Sequence, residues 1–106
     1  MTSPVAAQVA APGAAAACAE PATVRAYYFI SAPAHPGLLP RLIEPVAKLG
    51  TVPHRVHASR ESGDGSELVV DLRLAGIPQR TADLVARALR AVVGVRQVRT
   101  VVEPED

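Results

Sequence analysis

Three histidines, a single cysteine and a set of cations dominated by arginine are the reactive side chains of this 106-residue chain. His35 lies in the run Ala34-His35-Pro36-Gly37-Leu38-Leu39-Pro40-Arg41-Leu42. A small-residue turn with glycine at the mouth of a helix bends the backbone sharply and leaves helix N–H groups without intrahelical partners. Such groups suit a carboxylate. His35 beside them reads as an effector contact or an acid–base group, with an exposed turn residue as the plain alternative. His54 and His57 invite a metal ion, but three positions apart on a strand they face opposite ways and do not share one. If inward, His54 reads as a hydrogen-bonded core or interface histidine. Cys18 has no His or Asp placed beside it, which argues against a nucleophilic thiol, and as the sole cysteine it forms no intrachain disulfide. Asp64, and Asp71 with Arg73, read as solvated turn and cross-strand charges. Paired carboxylates, a phosphate-cradling glycine loop and a nucleophile elbow are all missing from the sequence. Neither a cofactor nor a metal is expected.

What these residues can do depends on the elements that hold them. Residues 1–22 are rich in Ala and Pro, without hydrophobic period or large side chains, and read as a disordered tail. Ala16-Ala17-Cys18 looks like a lipoprotein cleavage site. However, the start lacks a cation, and Pro12-Gly13 interrupts an apolar part without Leu, so export is not expected. A domain follows over 23–103, then a short acidic end at 104–106. Val24 to Ile30 reads as a β-branched and aromatic strand ended by Pro33 and Pro36. Leu38, Leu39, Leu42, Ile43, Val46 and Leu49 make one apolar stripe on a helix from Gly37 to Leu49. Pro40 fits its first turn, Pro45 should kink or split it, and Gly50 closes it. A second strand is read over Val52 to Ser59, and Ser62-Gly63-Asp64-Gly65 signals a hairpin. The third strand, Glu67 to Leu74, points Leu68, Val70, Leu72 and Leu74 inward, with Val69 as the outward exception. Ala75-Gly76-Ile77 connects to a second helix from Pro78 to Val92, whose buried stripe is Val85, Ala88, Leu89 and Val92. Val95 to Val102 closes the chain as a fourth strand. The order βαββαβ gives an α+β ferredoxin-like plait. It has a four-stranded antiparallel sheet in the order 4-1-3-2 and two helices on one face. The opposite face is bare unless another subunit covers it.

Formal net charge is +1, which argues against nucleic acid or an anionic membrane as partner. Between 23 and 103 eleven cations meet seven acids, leaving +4, and ten of the cations are arginine. A compositional bias toward Arg and Ala accounts for that excess. No apolar run reaches membrane-spanning length. Cysteine usage is compatible with a reducing cytoplasm, which is the expected location. RNA-recognition domains share the βαββαβ order, and Arg55, Arg73, Arg96 and Arg99 would supply cations for one. The third strand nevertheless carries no stacking aromatic, and Tyr27 or Phe29 supplies one platform at most. A plait enzyme of the acylphosphatase kind uses an arginine in the first loop and an asparagine. This chain has no Asn and no Arg between Ser31 and Pro40.

Over Val24 to Val102 the residues resemble an ACT domain. The resemblance is carried by Tyr27-Tyr28-Phe29-Ile30, Pro36-Gly37-Leu38-Leu39-Pro40-Arg41-Leu42, the Leu49-Gly50 helix end, the long hairpin and Gly94-Val95-Arg96-Gln97-Val98. Within that family the first-helix pattern and Val92-Val93-Gly94-Val95-Arg96-Gln97-Val98 look closest to the small regulatory subunit of acetolactate synthase. The resemblance implies a non-catalytic module of branched-chain amino acid biosynthesis. It implies a homodimer docked on a large thiamine-diphosphate-dependent catalytic subunit, and an amino-acid effector held near the loop into the first helix. Carried over, the effector contacts fall on Ala34, His35, Pro36, Gly37, Leu38, Leu39 and Val52. In valine-responsive relatives asparagines occupy positions corresponding to about Ala34 and Val52. Neither side chain here can hydrogen-bond an ammonium or carboxylate group, which leaves the backbone of His35 to Leu39. A small-molecule-sensing ACT module standing alone is the alternative, an RNA-binding plait the third reading.

Overall fold

The computed structural model describes residues 22–105, so the tail up to residue 21, with Cys18, lies outside the described residues. Six elements follow one another: β1 (Thr23–Pro33), α1 (Leu38–Lys48), β2 (Arg55–Glu61), β3 (Glu67–Pro78), α2 (Gln79–Arg90) and β4 (Gln97–Pro104). The four strands form one antiparallel sheet in the order β2-β3-β1-β4, the topology read from the sequence.

Strict alternation organises the sheet. Val24, Ala26, Tyr28, Ile30 and Ala32 of β1 are buried, as are Val70, Leu72 and Leu74 of β3. They meet Leu38, Leu42 and Val46 of α1 and Ala82, Val85, Ala86 and Leu89 of α2 in a single core. Both helices therefore lie on one face of the sheet. Tyr28 is the largest core side chain, and its hydroxyl donates to Ala82 O at 2.7 Å. Burial pushes its phenol up to about 12, because a phenolate has no water there.

Several boundaries differ from the sequence reading: β4 runs Gln97–Pro104 in place of Val95 to Val102, α2 ends at Arg90 and not Val92, and three further differences bear on the site. β1 continues past Ile30 to Pro33. Its pairing with β4 stops at Ser31–Gln97 while that with β3 continues to Pro33–Glu67. Ala34 N–H donates toward β3, to Ser66 O, so the Pro33 nitrogen points to the side β4 has vacated and forfeits little. β2 starts at Arg55, not Val52, because Pro53 cannot donate; His54 N–H makes the first bond, to Arg73 O at 2.7 Å. Ala75-Gly76-Ile77 is strand, not a connection. Val24 pairs with Ile77 and Ala26 with Leu74, so β3 carries one extra residue there, a bulge in which Gly76 has φ +68°. The bulge returns Ile77 to the core, and Pro78 leads straight into α2.

α1 is a single helix through Pro45, so the proline does not split it. One missing N–H is tolerated because Leu42 and Val46 on either side are fully buried and clamp the helix onto the sheet. Gly50, with φ +75°, takes the left-handed position that ends it.

The C-terminal end is tied down. Glu105 N–H donates to Thr23 O at 3.0 Å, and its carboxylate accepts from Gly76 N–H at 2.9 Å and faces Arg25 Nε at 3.4 Å.

Candidate effector site

The β1–α1 loop builds a cleft of about 340 Å³ with Ala34, His35, Pro36, Leu39, Arg60 and Leu68 on its walls. Its origin is a mismatch in coverage. On β2, Val56, Ala58 and Arg60 pair with Leu72, Val70 and Leu68 and so face the helix side. Yet Val56 is 41% exposed, and Ala58 and Arg60 are exposed as well. The helices cover β3 and leave β2 bare, and the gap between α1 and β2 is the cleft.

His35 is fixed by its own turn. Its Nδ1 accepts the Gly37 N–H at 3.1 Å, and its carbonyl accepts the Leu38 N–H at 3.1 Å. Two N–H groups expected to face outward are thus already partnered. With Nδ1 accepting, the hydrogen bond assigns the proton of the neutral ring to Nε2, which makes the imidazole a donor. Arg60 donates from Nε to Gly65 O at 2.8 Å, which steadies the side chain. Its terminal Nη groups make no hydrogen bond to described residues, and the cleft thus holds two donors above the apolar Leu39, Leu68 and Pro36.

Of the residues singled out from the sequence, Ala34, His35, Pro36 and Leu39 come together here. Leu38 is 2% exposed and belongs to the core, so only its backbone borders the loop. Gly37 sits beneath Arg41; a Cβ there would lie 3.4 Å from the guanidinium. Val52 is 85% exposed in the segment between α1 and β2 and does not line the cleft. Arg60 and Leu68 were missed. The signal for them was their position one strand over: Leu68 pairs with Ala32, two residues before the loop, and Arg60 pairs with Leu68.

The other candidates separate. His54 is exposed, not inward, since it precedes β2 instead of lying within it. His57 pairs with Asp71 on the open face of the sheet. Among the described residues no three His, Cys, Asp or Glu side chains converge as a metal site would need. The open face mixes Arg25, Arg55, Arg73 and Arg99 with Glu61, Glu67, Asp71 and Glu103. Arg73 grips Asp71 through two bonds of 3.0 Å and lies 5.2 Å from the Tyr27 ring centroid, while Tyr27 Oη donates to Glu103 at 2.8 Å. Such internally neutralised charge is poor ground for a phosphate backbone. No helix among the described residues is long and apolar enough to cross a membrane.

A βαββαβ plait with both helices on one face of its sheet and a donor-bearing cleft at the first strand–helix loop is a ferredoxin-like α+β domain. The chain belongs to the ACT-like domain family, whose model matches residues 19–104. Among solved structures it is similar to the ACT domain of GTP pyrophosphokinase from Chlorobium tepidum. Its crystal structure gives 16% identity and a TM-score of 0.62 over 74% of this chain and 99% of that one. The solution structure of the same domain gives 17% identity and 0.58 over 73% and 84%. An uncharacterized protein from Thermotoga maritima gives 16% identity and 0.59 over 77% and 96%. At these identities the likeness shows the fold. No curated protein sequence matches the chain.

Proposed function

We propose that this chain is a non-catalytic ACT regulatory module that binds a small carboxylate effector in the β1–α1 cleft and transmits its presence to a larger enzyme. The single observation that carries this reading is the pairing of two donors, Arg60 and His35, with an apolar floor in a recess of about 340 Å³. That size is at the lower end of the roughly 300–1,000 Å³ of small-molecule sites, and suits a metabolite of a few carbons. The resemblance of α1 and of Val92 to Val98 names the partner as a thiamine-diphosphate-dependent acetolactate synthase catalytic subunit, and an amino acid as the effector class. The outer edge of β2 and the exposed Val56 and Val101 support a homodimer. A cytoplasmic location goes with that role. Because one chain supplies every wall of the cleft, a sensing module without an enzyme partner is the second reading.

The test is reconstitution. The chain is titrated into the isolated acetolactate synthase catalytic subunit of the same organism, and turnover is followed with and without branched-chain amino acids. A saturable change in rate, at a stoichiometry set by the complex, supports the regulatory subunit. Unchanged rate and no co-elution exclude that enzyme and leave the module standing alone.

A further inference from the structure

We propose that the outer edge of β4 joins a second copy of this chain, strand against antiparallel strand, with Val101 facing its own counterpart on the twofold axis. The contact lies at the opposite edge of the sheet from β2 and the cleft. It therefore goes beyond the homodimer reading above and leaves the effector site open.

Among the described residues β4 pairs with β1 alone. Glu105 N–H donates to Thr23 O, and the bonding direction alternates along an antiparallel strand. Glu103, Val101 and Arg99 therefore turn their backbone groups toward β1, while Val102, Thr100 and Val98 turn theirs outward. The Arg90 side chain meets Val98 O on that outer side. A row of outward donors and acceptors is a template for another strand.

The side chains select the occupant and the register. On the open face β4 presents Arg99, Val101 and Glu103 in that order, and Val101 is 51% exposed. A second β4 running antiparallel, with Val101 opposite Val101, sets Arg99 of each copy against Glu103 of the other. Arg99 pairs with no acid among the described residues. Glu103 accepts from Tyr27 Oη through Oε1, which leaves Oε2 for the second copy. The same register places Thr100 opposite Val102, and their outward N–H and C=O groups then exchange four bonds across the twofold axis. Val98 meets Pro104, which has no N–H to give, and the Val98 carbonyl is the one already met by Arg90, at 3.5 Å. A slip of two residues either way sets Val101 against Arg99 or Glu103 and breaks both ion pairs. A slip of one turns each side chain toward the wrong face.

Oxidative cross-linking of the full chain tests the contact. In a Cys18→Ser background, Val101→Cys should form a disulfide-linked dimer in air. Facing Cα atoms of a non-hydrogen-bonded antiparallel pair lie about 4.5 Å apart, within disulfide reach. Ala58→Cys, midway along β2, reads the other edge of the sheet. Added to the Val101→Cys chain, Arg99→Glu or Glu103→Arg should each slow linking about tenfold or more, because each sets like charges face to face. An equal mixture of those two chains should link at the original rate, since every charge then meets its opposite. Restoration by mixing comes from contact between copies and not from a change of fold in either. Linking through Ala58→Cys alone would overturn the β4 contact and leave the homodimer reading standing. Linking through Val101→Cys at a rate indifferent to both charge changes would overturn the register and the proposal with it. No linking at either edge, with a monomeric chain by sedimentation, would overturn the β4 contact and the homodimer reading together.

Discussion

The two halves of this plait are built from the same strand–helix–strand plan, and they differ in how the strand enters the helix. In the second half β3 runs into α2 with no loop between Pro78 and Gln79, and α2 lies down on β4, where Val98 is buried. Arg90 reaches over to Val98 O at 3.5 Å and Thr100 Oγ1 at 3.3 Å, and beside it Asp83, Ala86 and Arg87 border a surface recess of about 420 Å³. In the first half four residues separate β1 from α1, and β2 keeps its helix-side residues bare. Loop length and coverage make the difference: the direct entry into α2 leaves no loop, whereas the β1–α1 loop with its self-capping histidine stands beside an uncovered β2. A symmetric plan thus yields a packing half and a cleft half.

The largest break in that comparison is in the packing half. Leu89→Ala removes a fully buried side chain from α2 and should cost roughly 2–5 kcal/mol by urea denaturation. The half-buried Leu39→Ala, on the wall of the cleft, should cost about 1 kcal/mol. Equal losses would mean that the cleft is as tightly packed as the α2 seam. Next comes Tyr28→Phe, which deletes the bond to Ala82 O and should cost about 1 kcal/mol near neutrality. The same substitution carries a pH signature. The folded-state value of Tyr28 lies above that of the unfolded chain, so its contribution is complete below about pH 10 and falls as pH rises toward 12. Alkaline unfolding should therefore be shallower in the variant over that window.

Gly76→Ala tests the direct entry into α2. At φ +68° an alanine is strained, and a loss of about 1 kcal/mol is expected, although the space around that Cβ is open. Glu105→Gln gives the smallest effect. Hydrogen bonding from Thr23, then from Arg25 and Gly76 N–H, holds its carboxyl below the usual carboxylate range. The increment is present at neutral pH and disappears as pH falls through the carboxylate range, so the variant should show a slightly gentler acid transition.

The sequence displayed the packing half better than the cleft half. The alternation in Leu68, Val70, Leu72 and Leu74 and the stripe through Val85 and Leu89 located β3 and α2 because burial writes a period into a chain. The element order was then enough for the plait and for the family. The cleft was half visible. Ala34, His35, Pro36 and Leu39 are neighbours in sequence, and a glycine turn before a helix draws attention to them. Arg60 is 25 residues away from His35 and reaches the cleft only through the β3 register. No local signal separates it from the other arginines. His54 went astray for a related reason: with β2 begun at Val52 it faced inward, and Pro53 moved the true start to Arg55.

The central claim is that the first half alone responds to ligand, and amide chemical shifts read it most directly. On titration with a branched-chain amino acid, the amides of His35 to Leu39, Arg60 and Leu68 should move and saturate together, while those of residues 78–83 at the entry to α2 stay still. Shifts centred on α2 or on the open face of the sheet, with the 34–39 loop unmoved, would contradict it.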